Sequence, residues 1–372
     1  MLNSHKKWMK QAILEAFRSK GLSGINPPVG CIIVKDNIIV ARGRTSVSGR
    51  PHAEENAINN IKDPKTLFNS IMYVTLEPCA HLNKQGFSCA DLIIKSGISK
   101  IFISCFDPDK RTSGKGVNLL RNNNIEVFTT FMETEALSLY KGFFSRIINK
   151  KPYISLKIAC SLDGKIALNN KKSKWITNDL SRSYSHFIRS QTDAILTSSS
   201  TVIKDNSELT CRLNGLEHSS PIKILLDRQL SLTKDYKIFN NNYNNKLIIY
   251  YSRQAKNYET INTDSLSYVK VNSEFEDKFK YFDFIFKDLS NKGINNLLIE
   301  CGSVINSLLI SLNLVDELVI FRSGKIIGND GVPFINNLGY EDIDQLANYN
   351  ITSSRMLGED TLEIRKLNYV GL

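Results

Sequence analysis

The first 150 residues alternate short runs of aliphatic and β-branched residues with segments whose apolar residues recur at helical spacing. The stretch VGCIIVKDNIIVARG predicts two strands around a turn at Asp36–Asn37. The same patterns predict strands at IMYVTLE, KIFISCFDP and IEVFTTF, and helices at HAEENAINNI, CADLIIKSG, GVNLLRNNN and METEALSLYKGFFSRIIN. Alternation of this kind predicts a sheet covered by helices.

A second alternation begins after NKKPY, near residue 150. It predicts strands at YISLKIAC, DAILTSS, IKILLD, KLIIYYS, NNLLIE, DELVIFRS and TLEIRKL, helices at DLSRSYSHFIRSQT, EFEDKFKYFDFIFKDLSNKG and SVINSLLISLNL, and a surface loop at NNNYNNK. The two halves share no repeat, and 372 residues are too many for one core. We therefore expect an α/β protein with two domains, residues 1–148 and 149–372.

The N-terminus predicts an amphipathic helix rather than a signal peptide, because it has no continuous apolar core and no small-residue cleavage site. No apolar run approaches the roughly 20 residues of a membrane span. Seven cysteines, an odd number spread thinly, favour core positions or metal ligands over disulfides. We expect a cytoplasmic protein without a membrane partner. The predicted apolar face of the first helix holds Trp8, Ala12, Ile13, Ala16 and Phe17.

The formal charge of +11 is uneven along the chain. Residues 1–150 carry 21 Lys and Arg against 12 Asp and Glu, whereas the remainder carries 27 against 25. A basic first half suits nucleic acid or a phosphorylated small molecule, and it equally suits a Lys-rich solvated surface. The chain has no block of five or six consecutive basic residues, the pattern that would favour nucleic-acid binding.

His52 and Glu54 begin a predicted helix, and Cys79 and Cys89 follow a predicted strand. One imidazole and two thiolates are three ligands, the number that a catalytic zinc takes while keeping its fourth position for water. Zinc makes such a water acidic, and Glu54 could carry its proton to departing ammonia. This is the H-x-E … P-C … C pattern of zinc deaminases. Each residue alone has an ordinary structural explanation, but the combination indicates a zinc site with Glu54 as the catalytic residue.

The first half resembles the deaminase domain of bifunctional riboflavin-biosynthesis proteins. The resemblance is carried by NPPVGCIIV and by the long loop between Cys79 and Cys89. That family's loop reads P-C-S-H-x-G-K-T-P-P-C, whereas the loop here is one residue longer and lacks the Pro-Pro pair. The resemblance implies a cytidine-deaminase-like three-layer fold and one zinc ion, with Asn26 and His81 as substrate contacts. Otherwise Asn26 is a turn residue and His81 a loop histidine.

The second half resembles the reductase domain of the same family over nearly its whole length, through SLKIACSLDGKIAL, SKWIT, HFIRSQTDAILTSSSTVIKDNSELTCR and LLIECGSVINSLLISLNLVDELVIF. The resemblance implies a dihydrofolate-reductase-like α/β fold that uses NADPH. It places NADP at Ala159, Trp175, Thr201, Asp205, Gly302, Ser303, Val304, Ile305, Asn306, Ser307 and Leu308. It places substrate at Ser173, Arg189, Leu209, Arg212 and Glu300.

Residue chemistry agrees with these assignments without requiring them. No G-x-G-x-x-G opens a βα unit, so a Rossmann site is not indicated. Gly302–Ser303 opens a predicted helix whose N–H groups would suit a phosphate, or it is a plain turn and cap. Arg189 and Arg212 suit a sugar phosphate. Trp175 suits a nicotinamide face or a core, and Asp163 begins a turn.

The leading hypothesis is a two-step enzyme of riboflavin biosynthesis. Its substrate would be a phosphorylated pyrimidine, with no nucleic-acid partner, and a homo-oligomer is left open. One alternative is a tRNA-type editing deaminase with an accessory domain, supported by the basic first half. The other is a degenerate zinc-stabilised binding protein, against which the intact Glu54 argues.

Overall fold

The computed structural model describes residues 2–81, 87–170, 172–240, 246–252, 261–272 and 277–368. The chain forms two units, Met1–Lys151 and Pro152–Leu372. The domain boundary expected between residues 148 and 149 falls inside Ser145–Asn149, a single π-helical turn at the end of the first unit.

The first unit is a five-stranded sheet with helices packed on it. The order β2-β1-β3-β4-β5 combines an antiparallel β1–β2 hairpin with parallel β3, β4 and β5. Asp36 and Asn37 both have positive φ, as a tight hairpin turn requires. The described elements are α1 Leu2–Phe17, β1 Gly30–Lys35, β2 Ile38–Arg44, α2 Ala53–Asn59, β3 Ile71–Leu76, α3 Cys89–Ser96, β4 Lys100–Cys105, α4 Lys115–Asn122, β5 Glu126–Phe128 and α5 Glu133–Phe144.

The second unit is built on a nine-stranded sheet of order β11-β10-β9-β8-β12-β6-β13-β16-β15, with a two-stranded β14–β7 ladder beside it. The strands from β11 to β13 are parallel, and β16 and β15 add an antiparallel edge. The described elements are β6 Tyr153–Cys160, β7 Lys165–Ala167, α6 Asp179–Ser190, β8 Ala194–Ser198, α7 Ser199–Asp205, β9 Ile222–Leu226, β10 Leu247–Ser252, β11 Leu266–Val271, α8 Lys278–Asn291, β12 Asn296–Ile299, α9 Ser303–Ser311, β13 Glu317–Arg322, β14 Val332–Pro333, β15 Tyr349–Leu357 and β16 Asp360–Leu367.

Each unit has its own core. In the first, apolar residues of β1, β3 and β4 pack against α3, α4 and α5. In the second, β6, β8, β9 and β12 pack against α8 and α9. The described helices include none that is both long enough and apolar enough to cross a bilayer. All seven cysteines are free thiols.

The predicted apolar face of α1 is wrong at its last position. Trp8, Ala12 and Ala16 are buried, but Phe17 is 41% exposed. Met9, which was not part of the predicted face, is fully buried. Phe17 is the last residue of the helix, where fewer neighbours cover a side chain than in the earlier turns. Most of the predicted loop NNNYNNK and the beginning of the predicted helix EFEDKFKYFDFIFKDLSNKG lie outside the described residues.

Candidate metal centre and active sites

The first turn of α2 brings His52 and Glu54 to the sheet. His52 caps the helix, and Glu54 lies in its first turn with only 3% of its surface exposed. Gly43 on β2 allows this approach, because a Cβ there would lie 2.0 Å from the Ala53 carbonyl oxygen. The helix therefore begins directly against the strand, with Glu54 facing inward.

Cys79 and Cys89 reach the same place from two different elements. Cys79 follows β3, and Cys89 is the first residue of α3. Ser88 and Asp91 form a reciprocal capping box that fixes the start of this helix. The Cys89 backbone N–H lies 3.4 Å from the Cys79 sulfur. Hydrogen bonds from Cys89 and His52 lower the pKa of the Cys79 thiol, and a thiolate is the form that binds metal.

The three predicted ligands converge. The His52 Nδ1 atom lies 3.3 Å from the Cys89 sulfur and 3.7 Å from the Cys79 sulfur, and one ligand atom from each residue falls within 4.8 Å of the others. Ligand nitrogen and sulfur around a tetrahedral zinc are about 3.6 Å apart, given usual bond lengths near 2.05 and 2.3 Å. The donor set and its spacing therefore fit zinc.

Glu54 is held beside this ligand set rather than within it. Burial raises the pKa of its carboxyl to about 7, while the neighbouring His52 acts in the opposite direction. The carboxyl is thus buried next to the three ligand atoms.

An open pocket of about 320 Å³ leads to the ligand set. Asn26 and His81 both line it. Asn26 donates through Nδ2 to the Gly49 carbonyl oxygen at 2.9 Å, and His81 Nδ1 lies 3.4 Å from the Thr112 hydroxyl. Sequence reasoning missed several charged residues that line the same pocket: Arg50, Glu77, Asp107, Asp109, Arg111 and Arg146.

Glu77 is a buried carboxylate that holds neighbouring backbone in place, and no sequence motif indicated it. Its carboxylate accepts hydrogen bonds from the backbone N–H groups of Gly114 at 3.0 Å and Val117 at 3.1 Å. It thereby ties the N-terminus of α4 to the turn that carries Cys79. Gly116 makes the contact close, because a Cβ there would lie 2.1 Å from the Pro78 carbonyl oxygen.

In the second unit the predicted cofactor residues lie along one edge of the sheet. Strands β6, β8 and β12 are parallel neighbours, so their carboxyl ends meet at this edge. Ala159 lies near the end of β6, Thr201 and Asp205 belong to the helix after β8, and Gly302 caps the helix after β12. Open α/β sheets bind ligands outside the carboxyl ends of their strands.

The N-terminus of α9 is open at its cap. A Cβ at Gly302 would meet nothing within 4 Å, and no side chain caps this helix. This open cap fits a cofactor phosphate on backbone N–H groups. The buried Asn306 side chain has an oxygen without a hydrogen-bond partner, which suits a donor rather than a phosphate. Ile305 and Leu308 are half-buried against the core, and Val304 is exposed.

Polar side chains of α9 also bind the chain that follows β13. Ser303 Oγ donates to the Pro333 carbonyl oxygen, and Asn306 Nδ2 donates to that of Phe334 at 3.2 Å. Ser307 Oγ accepts from the Asn336 N–H at 2.7 Å. The side chains therefore hold residues 333–336 against the helix, which leaves the backbone of the first turn for a ligand.

Trp175 is not a core residue, since 61% of its surface is exposed. The Arg182 guanidinium lies 4.3 Å from the centre of its ring, and Lys325 Nζ donates to its carbonyl oxygen at 2.7 Å. The indole is thus presented at the surface beside half-buried Ser173. Asp163 lies in the predicted turn, where the Gly164 N–H donates to the Ser161 carbonyl oxygen. Its carboxylate also accepts from the Ile327 and Gly328 N–H groups of a distant segment.

Arg189 and Glu300 form a bidentate ion pair with distances of 2.8 and 2.9 Å. Arg189 Nη1 also donates to the Thr210 carbonyl oxygen at 3.1 Å. Lys157, which sequence reasoning missed, lies 3.6 Å from the same carboxylate. Only 13% of the Glu300 side chain is exposed. This desolvation would raise the pKa of its carboxyl, but Arg189 and Lys157 hold that pKa well below the ordinary value. Leu209 is buried and Arg212 is exposed.

Comparison with known families assigns each half of the chain to a known domain. Residues 2–105 match the cytidine and deoxycytidylate deaminase zinc-binding region, and residues 152–362 match the RibD C-terminal domain. The fold and the sites thus define a two-domain enzyme, a zinc-binding deaminase joined to a reductase with the dihydrofolate-reductase-like fold. The expected fold class is confirmed.

The RibD riboflavin biosynthesis proteins of Buchnera aphidicola subsp. Baizongia pistaciae and Escherichia coli K12 are 34% and 30% identical to this chain, each over 95% of it and 96% of their own length. A crystal structure of a diaminohydroxyphosphoribosylaminopyrimidine deaminase/5-amino-6-(5-phosphoribosylamino)uracil reductase from Thermotoga maritima superposes with a TM-score of 0.86 at 32% identity, covering 99% of both chains. Acinetobacter baumannii RibD gives 0.87 at 28% identity, covering 99% and 100%.

The chain therefore belongs to the RibD family of bifunctional riboflavin-biosynthesis enzymes. The second half matches the RibD C-terminal domain, a reductase, so it is not an accessory domain of an editing deaminase.

Proposed function

We propose that the first unit hydrolyses the 2-amino group of 2,5-diamino-6-ribosylamino-4(3H)-pyrimidinone 5′-phosphate, and that the second unit reduces the ribosyl chain of the product with NADPH. The final product is 5-amino-6-(5-phospho-D-ribitylamino)uracil. The observation that carries the first step is the convergence of one imidazole nitrogen and two sulfurs at zinc-ligand spacing beside a buried carboxyl.

His52, Cys79 and Cys89 would hold one zinc ion per chain, which would supply Lewis-acid activation of a water molecule. Glu54 takes a proton from the attacking water and delivers it to the exocyclic nitrogen as the carbon–nitrogen bond breaks. The ring gains an oxygen and the amino group leaves as ammonia. Asn26 and His81, both in the pocket wall, orient the pyrimidine ring.

The residues that would hold NADP lie along the carboxyl edge of β6, β8 and β12, and the backbone N–H groups at the first turn of α9 would take its phosphates. Reduced nicotinamide would supply a hydride to the sugar C1′. The sugar reacts as the open-chain imine, whose nitrogen takes up a proton. Trp175, which is exposed beside Ser173, contributes a flat surface for the cofactor.

The substrate of the second step lies against Ser173, Leu209, Arg212 and the Arg189–Glu300 pair. Exposed Arg212 offers its guanidinium to the 5′-phosphate. Glu300, kept ionised by Arg189, is an acceptor for sugar hydroxyl groups. We further propose that the protein acts in the cytoplasm on this small molecule and not on nucleic acid, because seven free thiols favour a reducing compartment.

The test is incubation of the zinc-loaded protein with the diaminopyrimidinone phosphate, with and without NADPH, followed by mass analysis. Without NADPH the deaminated uracil should accumulate, and with NADPH a species heavier by two hydrogens should replace it. Glu54→Gln should keep its zinc and lose deamination. Glu55→Gln, the neighbouring residue on the same helix, is the matched control and should retain activity. Unchanged deamination by Glu54→Gln would contradict the role given to Glu54.

A further inference from the structure

Residues 209–212 form a short irregular segment that carries two proposed substrate contacts, Leu209 and Arg212. Leu209 is buried with a φ of 58°, a conformation that costs energy for a residue other than glycine. The Cys211 N–H donates to Ser220 Oγ at 2.9 Å. The segment is therefore held in one conformation by contacts on its inner side.

Helix α6 supplies two of those contacts, one helical turn apart. Arg189 donates to the Thr210 carbonyl oxygen, as described above. The Nδ1 atom of His186 lies 3.1 Å from the same oxygen and 3.3 Å from the Arg212 N–H nitrogen. His186 is thus placed between two backbone groups of the segment, and one of them belongs to Arg212.

Either neutral tautomer of His186 binds this segment through Nδ1. A protonated Nδ1 donates to the Thr210 carbonyl oxygen, and an unprotonated Nδ1 accepts from the Arg212 N–H. The ring stays neutral at pH 7, because burial and the charges of Arg189 and Arg212 lower the pKa of His186 to about 4.

The guanidinium groups of Arg189 and Arg212 lie near each other. Partial desolvation of Arg212 and the nearby charge of Arg189 lower the pKa of the Arg212 guanidinium. All three guanidinium nitrogens of Arg189 already donate to protein oxygens, and its charge is paired with Glu300. The Arg212 side chain is exposed, so its guanidinium is the accessible one for a phosphate.

We propose that His186 is a positioning residue of the reductase, and that its Nδ1 contact with residues 209–212 sets the Arg212 guanidinium against the 5′-phosphate of the substrate. This inference rests on the proposed function of the second unit. His186 itself does not touch the reacting atoms.

The experiment uses the full-length, zinc-loaded protein with deaminated substrate and NADPH, and compares three substitutions. His186→Ala removes the contact. His186→Asn keeps a polar atom on Cγ, where Nδ1 is attached, and His186→Gln moves it one bond further. We expect the KM for the phosphorylated substrate to rise about tenfold in His186→Ala and His186→Gln, and at most about threefold in His186→Asn. The KM for NADPH and the deaminase rate should stay within about twofold.

A double substitution tests whether His186 acts through Arg212. In an Arg212→Gln background, His186→Ala should change KM by less than about twofold, because the interaction it supports is already lost. Multiplicative effects would overturn the proposal, as would an unchanged KM in His186→Ala or equal behaviour of the Asn and Gln variants. If His186→Ala does not fold, the Asn and Gln pair decides the matter. Failure of the wild type to reduce the substrate would instead contradict the proposed function.

Discussion

The metal centre is built from residues that are close in sequence, whereas the reductase wall, the surface formed by Arg189, Glu300 and residues 209–212, is built from distant ones. At the metal centre, four residues within 38 positions of sequence meet because three element termini converge on one point. At the reductase wall, Arg189 and Glu300 lie 111 residues apart and meet only when the large sheet is complete. The first site is encoded locally and depends on an ion, whereas the second is encoded globally and depends on a buried ion pair.

This difference in sequence separation explains which site residues could be predicted from the sequence. The ligand set and Glu54 follow from residue type and spacing alone, and the turn at Asp36–Asn37 follows from its chemistry. The partnership of Arg189 with Glu300 and Thr210 has no local signal, because each arginine in a sequence resembles a surface charge. Glu77, His186 and Lys157 were missed for the same reason.

The elements that were missed have weak patterns for physical reasons. Strand β15, Tyr349–Leu357, is an edge strand exposed along most of its length, so it shows no hydrophobic alternation. Strand β11, Leu266–Val271, lies at the opposite edge and is only half-buried. Helix α7 is short and begins with two serines, which resembles a loop. Edges and short connections are least constrained by burial.

Removal of the metal should give the largest difference between the two activities. Chelation, or Cys89→Ser, should lower deamination at least 100-fold, because the water loses its activating ion. Reduction of added deaminated substrate should stay within about twofold. Metal content and both rates are measured on the same sample, and Cys105→Ser, a substitution of a buried thiol outside the ligand set, is the control. A parallel loss of reduction would contradict the independence of the sites.

Glu300→Gln should break the second site without affecting the first. It leaves the Arg189 charge buried without its partner, which costs about 3–5 kcal/mol in comparable pairs. The second unit should unfold at lower denaturant, and zinc content should not change. Asp283→Asn, which breaks the exposed pair with Lys287, should cost under about 1 kcal/mol. Equal effects of the two substitutions would show that burial of the Arg189–Glu300 pair is unimportant.

Glu77→Gln tests how far the metal centre depends on its support. The amide replaces one of the two acceptor oxygens and faces a backbone N–H with another donor, at a cost of about 1–3 kcal/mol. We expect earlier thermal unfolding of the first unit and weaker zinc retention under mild chelation. Glu126→Gln, at the exposed pair with Lys100, is the matched control. Zinc retention identical to the wild type would remove Glu77 from this role.

Lowering the pH should destabilise the second unit around His186, by less than the substitutions above. His186 has a folded pKa of about 4 against an ordinary value of 6.5, so its neutral form is favoured by folding. That contribution is present above pH 6.5 and is lost as pH falls towards 4. Because the ring is partly exposed, the loss should stay under about 2 kcal/mol. Amide hydrogen exchange in β8 and β12 at pH 7 and 5 measures it, and His186→Asn should show a smaller change.

The capping box at Ser88 has a consequence for how this family varies. Cys79 is placed by the end of a strand, and Cys89 is placed by the start of a helix that determines its own first residue. Neither sulfur takes its position from the number of residues between them. A change in the length of that stretch should therefore leave the two sulfurs where they are.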